Sequence, residues 1–220
     1  MERRLDAELN RLKAKVLLMG KAVESQLQNA LQALTTRDGS LAMRVIENDR
    51  LVDTLDVEID EDSLHLLARY HPTAGDLRFV TTVMKIAGEL ERMSDLAGNI
   101  AERTIELNGE PQLKPYIDIP AMADRTIRMV RESLNAFIHH DPTLARKVCR
   151  DDDHIDQLTE QLFRELLSFM LEDPRTITRA TRLSFVGKYY ERIADHATNV
   201  AELVVYLVEG KIIRHMAVEH

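Results

Sequence analysis

Residues 90–102 read Leu-Glu-Arg-Met-Ser-Asp-Leu-Ala-Gly-Asn-Ile-Ala-Glu, and residues 190–202 read Tyr-Glu-Arg-Ile-Ala-Asp-His-Ala-Thr-Asn-Val-Ala-Glu. Both stretches carry the polar pattern Glu-x-x-x-Asp-x-x-x-Asn-x-x-Glu, and they lie 100 residues apart. The apolar residues around the two stretches also recur, at steps of three and four that are typical of one buried face of an α-helix. This long internal repeat predicts that the chain is a duplication of one helical unit.

A second recurrence precedes each copy of the motif, at an offset of 103 residues. Its conserved feature is a pair of acids spaced by four: Asp49 and Asp53 in the first copy, Asp152 and Asp156 in the second. The next two acids of the first copy, Asp56 and Asp60, are replaced by Thr159 and Phe163. The difference between the two offsets falls in turns, where changes in length are tolerated. We therefore interpret the recurring pairs as candidate functional residues, and Asp56 and Asp60 as surface charge.

Turn signals divide the chain into six predicted helices. The first helix ends near residue 36, the second spans 39–70 and the third ends near 108. The fourth starts near 119, the fifth spans 142–171 and the sixth ends near 210. Residues 110–115, which contain two prolines, form the predicted boundary between two halves of one length and one pattern. Short turns between long helices favour antiparallel neighbours. The predicted fold is all-α, with two tandem, pseudo-twofold-related three-helix bundles at residues 1–110 and 111–220.

Composition supports a helical protein and excludes several function classes. The chain is 45% hydrophobic and only 5% aromatic, without Trp, as expected for a helical bundle. Its net charge of −8 argues against nucleic-acid binding and against a polybasic membrane anchor. Cys149 is the single cysteine, the N-terminal residues lack the apolar core of a signal peptide, and the longest apolar run is 203–208. We expect a cytoplasmic protein with no direct membrane insertion.

The recurring acids predict two sets of four carboxylates, one in each half. The first set is Asp49, Asp53, Glu91 and Asp95, and the second is Asp152, Asp156, Glu191 and Asp195. Neighbouring helices can bring such pairs together, as in the carboxylate metal sites of helical bundles. Like charges four residues apart repel one another, and a bound cation would relieve that repulsion. A solvated acidic surface is the alternative interpretation.

The type of ligand limits the metal. An oxygen-rich set without histidine fits Mg, Mn, Ca or Fe better than a closed zinc site. The absence of Glu-x-x-His pairs argues against a ferritin-like di-iron enzyme. His196 follows Asp195, but its counterpart is Leu96, so we interpret His196 as a partly exposed helix residue.

Taken together, the motifs at 90–102 and 190–202, the Pro-Thr-Ala-Gly-Asp-Leu-Arg turn at 72–78 and the duplicated layout resemble the PhoU family of phosphate-transport accessory and regulatory proteins. The resemblance covers nearly the whole chain. It implies a cytoplasmic, non-catalytic adaptor that represses the phosphate-starvation response when phosphate is plentiful. The implied partners are a phosphate ABC transporter, through its ATPase subunit, and a sensor histidine kinase.

The resemblance also implies metal clusters held by E(D)xxxD motifs, which here are the eight acids of the two sets. Further candidate ligands, or hydrogen-bond partners of ligands, are Asn99, Glu102, Asn199 and Glu202. The metal is left open among Fe, Mn, Mg, Zn and Ca, as divalent or iron-type ions. Tyr190 departs from the family pattern, which has an apolar residue before the glutamate.

Three functions compete at this point. The first is the non-catalytic adaptor with bound metal, the second is a carboxylate-ligated metalloenzyme on a helical bundle, and the third is a structural scaffold without metal. Exposed carboxylates lack the dry pocket that catalysis favours, so the adaptor is preferred. A homodimer is expected from the frequency of twofold assemblies among soluble proteins.

Overall fold

The computed structural model describes residues 2–213, which form six α-helices and one short 3-10 turn, with no strand among them. The helices are α1 (Glu2–Thr36), α2 (Gly39–Tyr70), α3 (Ala74–Asn108), α4 (Asp118–His139), α5 (Pro142–Glu172) and α6 (Ile177–Glu209). The 3-10 turn, Pro174–Thr176, leads into α6. The all-α prediction with six long helices is confirmed.

Local chemistry explains where the helices begin and end. Asp38 caps α2, and its side chain accepts a hydrogen bond from the Leu41 backbone N–H at 2.9 Å. Asp141 caps α5 in the same way, at the equivalent position of the second repeat. Gly210 ends α6 in the left-handed region, with φ of 69°, where a residue without Cβ is least strained. The two acidic caps therefore belong to the duplicated pattern.

The core lies around α3 and α6, which pack against each other at the centre of the molecule. Helices α1 and α2 cover α3 from one side, and α4 and α5 cover α6 from the other. Leu90 and Met93 on α3 and Ile193 on α6 are fully buried, as their three-and-four spacing predicts. All six helices contribute to this one hydrophobic cluster, so the repeats share a common core.

Charged contacts fasten the connection between the repeats. Lys114 lies in this connection with only 7% of its surface exposed, and its Nζ contacts Asp118 at 2.9 Å and also Glu165. Arg182 of α6 reaches back to Glu106 at 2.9 Å and to Glu110. These contacts tie residues before and after the proline-rich segment to the second repeat.

The two repeats differ in one helix. Helix α4 has 22 residues, whereas its counterpart α1 has 35. The first helix of the second repeat is therefore shorter than that of the first repeat. No helix within residues 2–213 is long and apolar enough to cross a membrane.

Candidate carboxylate sites

The first acidic cluster lies where α2 and α3 run side by side. Burial raises the pKa of Asp95, and the neighbouring Asp49 and Asp53 raise it further. Burial also raises the pKa of Glu91, with Asp95 as the next cause. Asp49 and Asp53 of α2 thus act on Asp95 of α3, and Asp53 also acts on Glu91, so the structure brings the four predicted residues of the first set near one another.

Asp56 belongs to this cluster as well. It is half-buried, and it raises the pKa of Glu91, while burial, Asp60 and Asp53 raise the pKa of Asp56 itself. The interpretation of Asp56 as plain surface charge is therefore wrong. Asp60 is exposed, as expected. The lack of an acid at the matching position of the second repeat correctly predicted that Asp60 is surface charge. The same criterion failed for Asp56, which belongs to the first cluster although the second repeat has no acid there.

A buried polar chain connects the first cluster to α1. The Ser94 hydroxyl lies 2.5 Å from Asp49 Oδ1 and 2.5 Å from Gln26 Oε1, and both Ser94 and Gln26 are almost fully buried. A hydroxyl has one proton to donate, so an orientation in which the Gln26 amide NH₂ faces Ser94 satisfies all three groups. This chain holds Asp49 in place. Ala194 occupies the equivalent position in the second repeat. This difference between Ser94 and Ala194 is the feature of the sequence that could have indicated the polar chain of the first repeat.

The second acidic cluster lies between α5 and α6. Burial raises the pKa of Asp152 to about 7, and Asp195 and Asp156 are the next causes. Burial and Glu191 likewise raise the pKa of Asp195. Thus the structure also brings the second predicted set together.

Lys188 provides a positive charge that the first repeat lacks. It forms an ion pair with Glu191 and lowers the pKa of Asp156 and Asp195, against the larger effect of burial. Gly88 stands at its equivalent position on α3. The two clusters therefore share four carboxylates, but the first has Asp56 in addition and Arg92 as a basic neighbour, whereas the second has Lys188.

The donor chemistry of both clusters fits a hard cation, because the converging groups are carboxylates with a large excess of negative charge. Within residues 2–213, however, no three His, Cys, Asp or Glu side chains already stand in an arrangement that could hold a metal ion. Ligation would therefore require side-chain rotation toward the cation.

The four additional candidates have different surroundings. Asn99 is half-buried on α3, and Glu102 is exposed and lies near Arg103, at 3.5 Å. Asn199 donates a hydrogen bond to Glu89 Oε2 at 3.1 Å. Glu202 lies beside Cys149, whose pKa is raised to about 11 by burial and then by Glu202 and Asp152. Asn199 thus joins the interface between the repeats.

His196 forms a contact between the repeats that the sequence pattern did not indicate. Its Nδ1 lies 2.7 Å from Glu89 Oε2, and only 12% of its side chain is exposed. His196 is thus partly exposed, as expected, but it also pairs with Glu89, which the sequence pattern did not indicate. Burial acts to raise the pKa of Glu89, but the hydrogen bonds from His196 and Asn199 hold it below its ordinary value. This network links α3 to α6 close to the second cluster.

This geometry defines a class of protein: a duplicated three-helix bundle with one carboxylate cluster in each repeat. The family model described as the PhoU domain matches the chain twice, at residues 16–104 and 119–204. The chain belongs to the PhoU family. The two matches begin 103 residues apart and end 100 residues apart, which are the two offsets of the internal repeat.

Individual relatives and structures agree with this assignment. The chain is 46% identical to the phosphate-specific transport system accessory protein PhoU homolog of Aquifex aeolicus, over 98% of each chain. It is 36% identical to the phosphate-specific transport system accessory protein PhoU of Escherichia coli, over 96% of this chain and 88% of that one. The crystal structure of PhoU from Pseudomonas aeruginosa matches with a TM-score of 0.91 and 38% identity, over 94% of this chain and 99% of that one.

Proposed function

We propose that this chain is a cytoplasmic, non-catalytic regulator of phosphate homeostasis. It acts as an adaptor between a phosphate ABC transporter, at its ATPase subunit, and a sensor histidine kinase, and it represses the phosphate-starvation response when phosphate is plentiful. The observation that supports the proposal is the match of both repeats to the PhoU domain, together with relatives at 36–46% identity that are named accessory proteins of phosphate-specific transport.

The placement of the acids favours an adaptor over a metalloenzyme. Asp53, Asp95, Asp156 and Asp195 are exposed on the outer faces of their helices. Catalytic sites are usually concave and partly dry, because exclusion of water strengthens their electrostatic interactions. A cation on these open surfaces would change charge and shape for a partner protein, which suits a regulatory role. We also propose a homodimer as the assembled form.

We further propose that each cluster binds divalent or iron-type cations. The first site would use Asp49, Asp53, Glu91 and Asp95, and the second Asp152, Asp156, Glu191 and Asp195. Burial is the main cause of the raised carboxyl pKa values and repulsion between the acids adds to it; this repulsion supports the proposal, because a bound cation would relieve it.

Elemental analysis of untagged protein and thermal shifts with Mn²⁺, Mg²⁺ and Fe²⁺ test the metal proposal. We expect Glu91→Ala/Glu191→Ala to bind less metal and to show a smaller thermal shift, because ligand binding stabilises the folded state by mass action. The metal-free variant should be no less stable than metal-free wild type, since the substitutions also remove repulsion. Glu61→Gln, at an exposed position of α2, is the control for loss of charge. Unchanged metal binding in the double variant would contradict the proposal.

A strain without this protein tests the regulatory role separately. We expect its phosphate-starvation genes to stay expressed in phosphate-rich medium. Complementation with the Glu91→Ala/Glu191→Ala variant then shows whether the metal sites are needed for repression. Normal repression in the strain without the protein would refute the adaptor function, whatever the metal measurements show.

A further inference from the structure

An open groove of about 470 Å³ lies between α5 and α6 on the surface of the second repeat. Phe163 of α5 and Phe185 of α6 line it, and these side chains are 51% and 47% exposed. The Phe185 ring stacks on Tyr189 with centroids 6.3 Å apart, which holds it at the surface. Two large aromatic side chains thus face solvent in one groove.

The apolar surface continues beyond the groove. Leu167 and Leu171 follow Phe163 at one-turn intervals along α5, and both are exposed. Because α6 returns antiparallel to α5, the exposed Ile177 lies at the same end as Leu171. From Phe163 to Leu171 the strip is about 12 Å long at 1.5 Å per residue. A contiguous apolar strip of this kind is typical of a protein-binding site.

The duplicated repeat shows that the fold does not need the aromatic residues of this strip, although Leu64 and Leu77 keep the positions of Leu167 and Ile177 apolar and exposed. Asp60 and Lys85 occupy the positions of Phe163 and Phe185 in the first repeat, and both are exposed. Ala68 stands where the second repeat has Leu171. Since α2 and α3 pack in the same way with charged residues at these positions, the aromatic residues are not required for helix packing.

The charge around the groove indicates what could bind there. Its lining includes three acids, Asp156, Glu160 and Glu191. Lys188 also lines the groove, and its charge is paired with Glu191. The second acidic cluster adjoins the same edge through Asp156 and Glu191. An apolar strip with an acidic edge complements a helix that carries apolar residues on one face and Lys or Arg beside them. A second copy of this chain is a poor match, because a twofold contact here would bring two acidic edges together.

We propose that the α5–α6 groove is the docking site for a basic amphipathic helix of a partner protein. Phe163 and Phe185 contact the apolar face of that helix, and the acids of the groove pair with its basic residues. The proposal deepens the adaptor function proposed above, and it rests on that function in requiring a protein partner. It gives each chain one such docking face, on the second repeat alone.

A synthetic peptide tests the site directly. The probe is a fluorescein-labelled helix of about 18 residues, or five turns, with leucines at the i, i+3, i+4, i+7 spacing and lysines on the other face. Its binding to the full chain is measured by fluorescence anisotropy in the presence of a chelator. We expect saturable binding that weakens about tenfold or more in Phe163→Asp/Phe185→Lys, as for loss of central contact residues. A peptide with glutamate in place of lysine should bind the wild-type chain as weakly as the basic peptide binds the groove variant.

The variant and its control separate docking from folding. Phe163→Asp/Phe185→Lys installs the residues that the first repeat carries at these positions, so its circular dichroism and melting temperature should match wild type. Leu18→Asp/Val57→Lys makes the same changes at two other exposed apolar residues, and its peptide affinity should stay within about twofold of wild type.

Several outcomes would overturn the docking proposal. These are no binding of the basic peptide, equal binding of the acidic peptide, or no effect of the groove variant. Self-association of wild type that disappears in the groove variant would assign the face to a second copy and would also overturn it. None of these outcomes affects the adaptor function, which fails only if a strain without the protein represses normally.

Discussion

Replacing Asp152 with Asn should stabilise the metal-free protein, and the gain should grow as the pH rises. Asp152 is half-buried on α5, and its pKa is raised from 3.8 to about 7 by burial and then by Asp195 and Asp156. A carboxyl whose pKa is higher in the folded than in the unfolded chain favours folding while it is protonated. That contribution is complete below about pH 4 and is lost as the pH rises through about 7.

The size of the effect follows from the same values. A rise in pKa from 3.8 to about 7 corresponds to about 4 kcal/mol without solvent screening. Asp152 is partly exposed, so screening should reduce the cost of its ionisation to about 1–2 kcal/mol. Asparagine has nearly the same shape but no charge. The difference between Asp152→Asn and wild type should therefore be near zero at about pH 4 and about 1–2 kcal/mol at about pH 8.

Urea unfolding followed by circular dichroism, in the presence of EDTA, measures this difference across the pH range. Glu61→Gln removes one charge from an exposed position on α2 and should show little change at any pH. A variant less stable than wild type at about pH 8 would refute the reasoning. So would a gain that is the same at every pH, because it would not come from ionisation of Asp152.

Four further substitutions test other parts of the structure. Leu90→Ala and Ile193→Ala should each cost about 2–5 kcal/mol in urea unfolding, because both side chains are fully buried; a wild-type midpoint would mean that these residues do not form the core. Asp56→Asn should raise the melting temperature of the metal-free protein above about pH 5, because burial, Asp60 and Asp53 raise the pKa of Asp56 and ionisation then opposes folding. Glu61→Gln should change it little, and equal effects would contradict the placement of Asp56 in the cluster. Lys114→Met should lower the free energy of unfolding by about 2–3 kcal/mol in urea, since it leaves two partly exposed carboxylates without their buried cation. An unchanged free energy of unfolding would show that these ion pairs do not stabilise the connection between the repeats.

Much of the architecture could be predicted because it depends on local patterns. The three-and-four spacing of apolar residues gave the buried faces of α3 and α6, and acidic caps and prolines gave the turns. The pairing of acids across neighbouring helices also follows from local rules, since short turns make consecutive helices neighbours. The two carboxylate sets were therefore predicted with their residues.

Contacts between distant helices could not be predicted in this way. His196 and Glu89 are 107 residues apart, and their contact depends on how α3 and α6 cross. The link from Gln26 to Ser94 depends in the same way on where α1 lies against α3. Asp56 was misjudged for a related reason, because its burial reflects the close approach of α2 to α3 rather than any feature of its own helix.

The common core has a consequence for the origin of the molecule. A chain with only one repeat would expose the face of α3 that now packs on α6, including the network around Glu89. Such an ancestor would have needed to pair with an identical copy to keep that face dry. Joining two copies in one gene makes the pairing intramolecular, at an effective concentration of about millimolar, so that it no longer depends on the amount of protein in the cell. It also lets each half change in sequence independently of the other. The second repeat has Phe163 where the first has Asp60, a difference that two identical subunits could never acquire.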